Sequence, residues 1–285
     1  MYKQNEWGYL MQMINKTRSS FVRERIHSPT ISVIMAAYNA ENTIQTSIRS
    51  VLAQTYIHWE LIVVDDCSED GTLGLVEALA EGDSRIHVYA NIQNAGVAMT
   101  RNFAMTQARG KWVAFLDSDD MWREDKLQKQ LRFAEETGEP ITYTSTMYMK
   151  ECGGMSGYTL NAESKLRYKD LLRKNLMSCS SVMVLKEEMI PFPLTDDTHE
   201  DYAVWLQLVK EKGCARGLDE PLLVYRMSDE SKSSRRVKSA KMTFNAYRYV
   251  GYGVFISTAY TLRYSVHSIT KRIRIYLGKR ASVLL

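Results

Sequence analysis

The sequence predicts an α/β fold: an open, mostly parallel central sheet flanked by helices on both faces. From residue 31 to about 120, apolar β-branched segments of strand length alternate with segments of helical periodicity, which is the pattern of successive βαβ units. Three polar clusters, Tyr38-Asn39, Asp65-Asp66 and Asp117-Ser118-Asp119-Asp120, each close one of the apolar segments. They therefore fall at the carboxyl ends of strands, the rim where open α/β sheets bind ligands. Hydrophobic residues make up 45% of the 285 positions, and no fixed-period repeat or low-complexity tract interrupts them. That composition excludes disorder and solenoids and leaves one enzyme-sized unit.

Residues 1–29 read as a polar, partly helical N-terminal extension, and the core begins abruptly at Ile31 with ISVIMAAY, a buried strand. ENTIQTSIRSVLAQ follows, with Ile44, Ile48, Val51 and Leu52 at helical spacing and Asn39 or Asn42 as cap. ELIVVDD is the second strand, CSEDGT a turn, LGLVEALAEG a helix ending at Gly82, and RIHVYAN the third strand. AGVAMTRNFAMTQARG gives a helix ended by Gly110, and KWVAFLDSDD the fourth strand. Beyond Trp122, EDKLQKQLRFAEETG is a helix, ITYTSTMYM a strand, residues 151–168 a loop or hairpin, and EDYAVWLQLVKEKG a helix entered from an acidic loop.

Cys67, Cys152, Cys179 and Cys214 are scattered, with no CxxC pair and no histidine at zinc-ligand spacing. Neither a disulfide framework nor a zinc site is indicated. The N-terminal MYKQNEWGYLMQMINKTR carries charges where a secretion signal needs an unbroken apolar stretch, so a cytoplasmic location is expected. The net charge of +4 is unevenly spread: residues 1–230 hold 25 basic and 33 acidic side chains, whereas residues 231–285 hold 12 basic and no acidic ones.

Carboxylates packed at a strand end, as in FLDSDD, are hard to maintain without a cation. Asp117 and Asp119 are the natural pair for Mg2+ or Mn2+, which take oxygen ligands and leave sites to water and substrate. Helix capping by Asp117–Asp120 accounts for the same pattern. Asp66, in VVDDCSEDGT, stands where a carboxylate accepts a hydrogen bond from a uracil N3–H, or where it stabilises a turn. Asn94 and Gly96 mark a tight turn into a helix whose free N–H groups favour anions, and Arg101 one turn on either faces phosphate or solvent. In HEDYAVW, Asp201 and Trp205 are four residues apart on one helix face. They suit a general base with an aromatic acceptor platform, with Glu200 and His199 beside them. The structural alternative makes Thr198 the N-cap, Glu200 and Asp201 partners of the helix dipole, and Trp205 core.

Taken together, SVIMAAYNAENTIQTSIRSVLAQTY, ELIVVDDCSEDGT, NAGVAMTRN, GKWVAFLDSDD and HEDYAVWLQL resemble, in order and spacing, the family 2 glycosyltransferases with the GT-A fold. The resemblance runs from about Ile31 to Arg226. It implies nucleotide-sugar contacts at Ala37, Tyr38, Glu41, Asp66, Arg101, Asp117 and Ser118, and metal binding at Asp119 and Asp117, with Asp120 left open. It further implies a catalytic base at Asp201, inversion at the anomeric carbon, and an acceptor side that includes Trp205, Glu200 and His199. The QxxRW motif and membrane spans of processive members are absent from the sequence, so a single-transfer enzyme is implied. Residues 30–122 would form the nucleotide-sugar half and 123–228 the acceptor half. UDP-sugars are the expected donors, and a glycan or lipid-linked glycan of cell-surface polysaccharide synthesis the expected acceptor. A metal-dependent nucleotidyltransferase and a non-catalytic sugar-binding module are the rival readings.

Residues 229–285 form a basic, helical C-terminal extension. Tyr249–Leu262 is uncharged but, at 14 residues, too short for a bilayer span of about 20. With Arg248 and Arg263 at its ends and KRIRIYLGKR beyond, it reads either as an interfacial segment against an anionic membrane or as a core helix with a solvated basic end. A peripheral place on the cytoplasmic face of a membrane is the expectation, and no nucleic acid is expected as a partner.

Overall fold

A computed structural model describes residues 14–15, 29–150, 154–195, 197–227 and 233–281 of the chain. Most of the N-terminal extension, expected to be partly helical, lies outside the described residues. Ile14–Asn15 within it form a short strand, β1, paired antiparallel with Asn91 and Ala90.

The unbroken apolar runs become strands covered on both faces. β2 (Ile31–Ala37), β3 (Trp59–Asp65), β4 (Ile86–Asn91) and β5 (Trp112–Phe115) form a parallel half-sheet in the order β4-β3-β2-β5. Alternation along β2 sends Val33 and Met35 into one core and Ile34 into the other. Helices α1 (Ile44–Leu52) and α2 (Thr72–Gly82) cover the first core through Ile44, Ile48, Val51 and Val76. Helix α3 (Val97–Gln107) covers the second through Phe103 and Ala104. The expected α/β architecture is therefore present, with helices on both faces.

Two local expectations change. Thr43, not Asn39 or Asn42, occupies the N-cap of α1; Asn39 instead takes φ +46° at the end of β2. Helix α3 stops at Gln107, and Gly110 does a different job: a Cβ there would lie 2.6 Å from the Ser32 amide nitrogen, so only glycine lets this turn press against β2.

Beyond β5 the sheet becomes mixed. After β6 (Met121–Trp122) and α4 (Lys126–Thr137), β7 (Ile141–Met149) returns to the sheet and forms a hairpin with β8 (Met155–Leu160). β9 (Leu166–Arg167) and the short α5 (Tyr168–Leu171) lead on to β10 (Val182–Leu185), which inserts antiparallel between β5 and β7. Helix α6 (Glu200–Lys212) feeds β11 (Cys214–Arg226), which runs parallel to β7 and antiparallel to β6. Two reversals restore direction, so the carboxyl ends of β2, β3, β5, β7 and β11 all reach one rim.

The basic extension is helical, as expected: α7 (Ser233–Tyr249) and α8 (Val254–Ala281). Tyr247 of α7 is fully buried; its hydroxyl donates to Leu172 O at 2.8 Å and lies 3.1 Å from the Tyr202 hydroxyl of α6. On α8, Ser257 is buried and Tyr260 and Tyr264 are half-buried against the core. Phe255, Leu262, Val266 and Ile269, on the other side, are exposed.

Candidate active site

The rim is assembled by loops stitched to one another. The Asn39 amide donates to Ser68 Oγ and its Oδ1 accepts from the Glu69 amide, while Glu41 Oε2 accepts from the Gly71 amide. Glu41 thus holds the β3–α2 loop and does not line the cleft, unlike the other residues expected to touch a nucleotide sugar. Asp66, 3% exposed, accepts from Asn91 Nδ2 at 2.7 Å and from the amides of Ala95 at 2.8 Å and Gly96 at 2.9 Å. Gly96, at φ +82°, makes the turn that aims these amides.

Above them opens a cleft of about 420 Å³, lined by Ala36, Ala37, Tyr38, Asp66, Asn94, Gly96, Val97, Arg101, Asp117, Ser118 and Asp119. Seven of the eight residues expected to bind donor or metal are brought together here. The cation in the cleft is Arg101, 6% exposed. Its Nη2 pairs with Asp117 at 2.5 Å and its Nη1 with Glu200 at 2.7 Å. One guanidinium therefore spans from the acidic turn after β5 to the start of α6. Asp201, half-buried beside Glu200, is pushed up to about 7 by burial and then by the Glu200 charge, against the pull of Arg101. A carboxyl in that range exchanges its proton near neutrality, as a general base must.

In the acidic turn the carboxylates part company. Asp119 is exposed, and burial of its surroundings together with Asp117 raises its pKa. Asp120 is 1% exposed and points inward, where its Oδ2 accepts from Ser180 Oγ at 2.7 Å and its Oδ1 from the Arg226 amide at 3.0 Å. It is a structural clamp, because both oxygens are bonded away from the cleft. Ser180 completes the clamp by accepting from the Asp117 amide at 3.0 Å. Neither Ser180 nor Arg226 carried a sequence signal; both come from the half of the chain where topology was not legible.

Among the described residues no three His, Cys, Asp or Glu side chains are grouped closely enough to hold an ion by themselves. Asp117 and Asp119 nevertheless fit a hard divalent cation that completes its shell with diphosphate oxygens and water. Burial first, and the Asp117 charge second, raise Asp119, and a cation between the two carboxylates would relieve the second of these.

On the acceptor side one expectation fails. Trp205 is fully buried, packed edge-on against Phe115 at 5.6 Å and near Phe192 at 6.1 Å between centroids. It is core and has no face for a sugar. Helix α6 buries almost every side chain from Tyr202 to Val209, so sharing a face with Asp201 did not mean sharing its exposure. His199, not Thr198, is the N-cap of α6; its Nε2 lies 3.1 Å from Ser239 Oγ of α7, tying the two helices.

Residues 32–186 match the family described as glycosyl transferase family 2. The chain belongs to that family. It is 37% identical to the putative teichuronic acid biosynthesis glycosyltransferase TuaG of Bacillus subtilis (strain 168), across 86% of this chain and 98% of TuaG. It is 35% identical to the Escherichia coli UDP-Glc:alpha-D-GlcNAc-diphosphoundecaprenol beta-1,3-glucosyltransferase WfgD, across 74% of this chain and 82% of that one. S. aureus TarS 1–349 in complex with UDP-GlcNAc superposes with a TM-score of 0.63 at 19% identity, covering 80% of this chain and 69% of TarS 1–349. The mannosyltransferase PcManGT from Pyrobaculum calidifontis, in complex with GDP-Man and Mn2+, gives 0.65 at 16%, covering 97% and 81%. At such identities the superpositions speak to the fold, which is GT-A. Membership of glycosyl transferase family 2 makes the chain a glycosyltransferase and displaces the nucleotidyltransferase and binding-module readings.

Proposed function

We propose that this glycosyltransferase moves a sugar from a UDP-sugar to a hydroxyl of a lipid-linked glycan, with inversion, during cell-surface polysaccharide synthesis. The observation that carries the reading is the single cleft that joins Asp66, Arg101, Asp117 and Asp119, with Asp201 one ion pair beyond it. Asp66 is held by three donors and keeps acceptor capacity toward the cleft, where it takes the uracil N3–H. Ala37 and Tyr38 wall the nucleoside, Ser118 lies against the donor sugar, and Arg101 offsets charge on the diphosphate. Asp117 and Asp119 would hold a divalent cation, which would supply Lewis-acid neutralisation of charge on the leaving nucleotide. Asp201 takes the proton from the acceptor hydroxyl as its oxygen attacks the anomeric carbon opposite the departing UDP. The names of WfgD, which specifies UDP-Glc and a diphosphoundecaprenol acceptor, and of the TarS complex support the donor and acceptor classes.

Helix α8 supports a peripheral membrane site. Phe255, Leu262, Val266 and Ile269 are 92%, 66%, 62% and 59% exposed along one side. No acidic residue follows Glu230, and among the described residues no helix is long and apolar enough to cross a membrane. Such a helix lies in the interface of an anionic leaflet. Sedimentation with phosphatidylglycerol vesicles should carry the protein down, and Leu262→Glu with Val266→Glu should leave it in the supernatant. Wild-type protein that stays in solution with these vesicles refutes the membrane site.

The transferase reading is tested by nucleotide release from a panel of UDP- and GDP-sugars with Mn2+, Mg2+ or EDTA. UDP release from one donor, dependent on metal and lost in Asp119→Ala and Asp201→Asn, is expected. No release from any donor would sink it.

A further inference from the structure

With Trp205 in the core, the acceptor side lacks the aromatic surface on which a sugar ring rests. The topology supplies another one. Strands β7 and β11 run parallel and end on the same rim as Asp66 and Asp117, and near those ends Tyr148 and Tyr225 are register partners. Their ring centroids are 5.4 Å apart, and Tyr158 of β8 adds a third ring 5.6 Å from Tyr148. Tyr148 is the buried footing at 4% exposure, whereas Tyr225 is 38% exposed and Tyr158 half-buried. The rings that reach solvent are thus braced from behind.

The position of Tyr225 is fixed against the acidic turn. The amide of the next residue, Arg226, donates to Asp120 Oδ1, and Arg226 Nε donates to Asp119 O at 3.0 Å. The Tyr225 hydroxyl is raised by burial and then by the charges of Asp120, Asp119, Asp117 and Asp201, so the ring stands within the field of both the metal-binding turn and the base. An acceptor whose hydroxyl reaches Asp201 while the donor lies on Asp117 and Asp119 would approach along this rim.

We infer that Tyr225 and Tyr158, braced by Tyr148, form the acceptor subsite, taking the apolar face of the acceptor's terminal sugar ring. A tyrosine suits this place because its ring offers apolar area while its hydroxyl bonds a sugar hydroxyl at the edge. The inference rests on the transferase reading above.

The test measures transfer kinetics with N-acetylglucosamine linked through diphosphate to a short lipid as acceptor. In Tyr225→Ala the acceptor KM should rise about tenfold, the size expected for loss of one aromatic contact. The donor KM and acceptor-independent UDP release should stay at wild-type values, which also reports that the cleft is folded. Tyr158→Ala should act in the same direction, and Tyr225→Phe, which keeps the ring and loses only the edge hydroxyl, should raise the acceptor KM by less than Tyr225→Ala. An acceptor KM unchanged in both alanine variants, or a donor KM that rises with it, overturns the subsite while leaving the transferase standing. Wild-type protein that releases no UDP from any donor overturns the transferase reading, and the subsite with it.

Discussion

Replacing Arg101 by Gln is expected to move the acid limb of the pH–rate profile upward, because Arg101 is the positive charge that opposes proton uptake by Asp201. Wild-type Asp201 titrates at about 7, raised by burial and by Glu200, lowered by Arg101 and raised again by Asp117. The other groups facing it, the Tyr225 and Tyr264 hydroxyls and the Cys179 thiol, have raised pKa values and stay neutral near pH 7. An arginine beside an aspartate lowers its pKa by about 1–3 units. Screening by water in the open cleft brings the expected shift to about one unit. A base half ionised at pH 7 would then be about one-tenth ionised, a loss of about fivefold in kcat that fades toward pH 9. The assay is initial-rate UDP release at saturating donor from pH 5.5 to 9.5, using Arg101→Lys as the variant that keeps the charge. A limb that stays near pH 7 in Arg101→Gln, or a loss equal at every pH, would refute the coupling.

Three further outcomes follow from buried groups. Glu60, whose side chain is 2% exposed, is lowered to about 2: burial opposes its charge, but hydrogen bonds from His87, Ser32 and Arg109 outweigh it. Its stabilisation, about 3 kcal/mol, is fully present above the unfolded value of 4.5 and lost as pH falls toward 2, so Glu60→Gln should flatten the acid limb of thermal melting. Lys126 is fully buried, its Nζ 2.6 Å from Gln130 Oε1 and 4.1 Å from the centre of the Trp122 ring, and burial lowers its pKa to about 7. The unfolded chain binds this proton up to 10.5, so wild-type stability should rise between pH 7 and 10, and urea melts of Lys126→Met should lack that rise. Trp205→Ala should cost about 3–5 kcal/mol through the cavity it leaves, whereas Trp205→Phe should leave acceptor KM unchanged; a selective KM effect would return Trp205 to the acceptor side.

The first half of the sheet was legible because each of its strands is an apolar run that stops at a polar cluster, and the chain visits them in simple βαβ order. Tyr38, Asp66, Asp117 and Asp119 therefore fall on one rim from the strand pattern alone. The second half was not legible, because β10 is only four residues long and joins β5 and β7 from far along the chain. Tyr148 and Tyr225, 77 residues apart, meet only through that topology. The open question at Asp120 and the misplacement of Trp205 share a cause: sequence spacing reports direction along one element, not what lies opposite. Asp120 sits beside Asp119 in sequence but turns into the Ser180 clamp, and Trp205 lies on the face of Asp201 but under Phe115 and Phe192.

The inner side of α8 meets both α6 and α7 through rings. Tyr264 stacks on Tyr202 at 5.5 Å and Tyr260 on Tyr247 at 5.5 Å, and Tyr202 is the residue next to Asp201. On the membrane site proposed above, a lipid surface seated on the outer side of α8 would be held about one helix diameter, about 10 Å, from these ring contacts. The helix would then work as a depth gauge. Acceptors would be sorted by how far their hydroxyl stands above the headgroups before any pocket contact is made, and lengthening the spacer between lipid and sugar should disfavour transfer even when the sugar itself is unchanged.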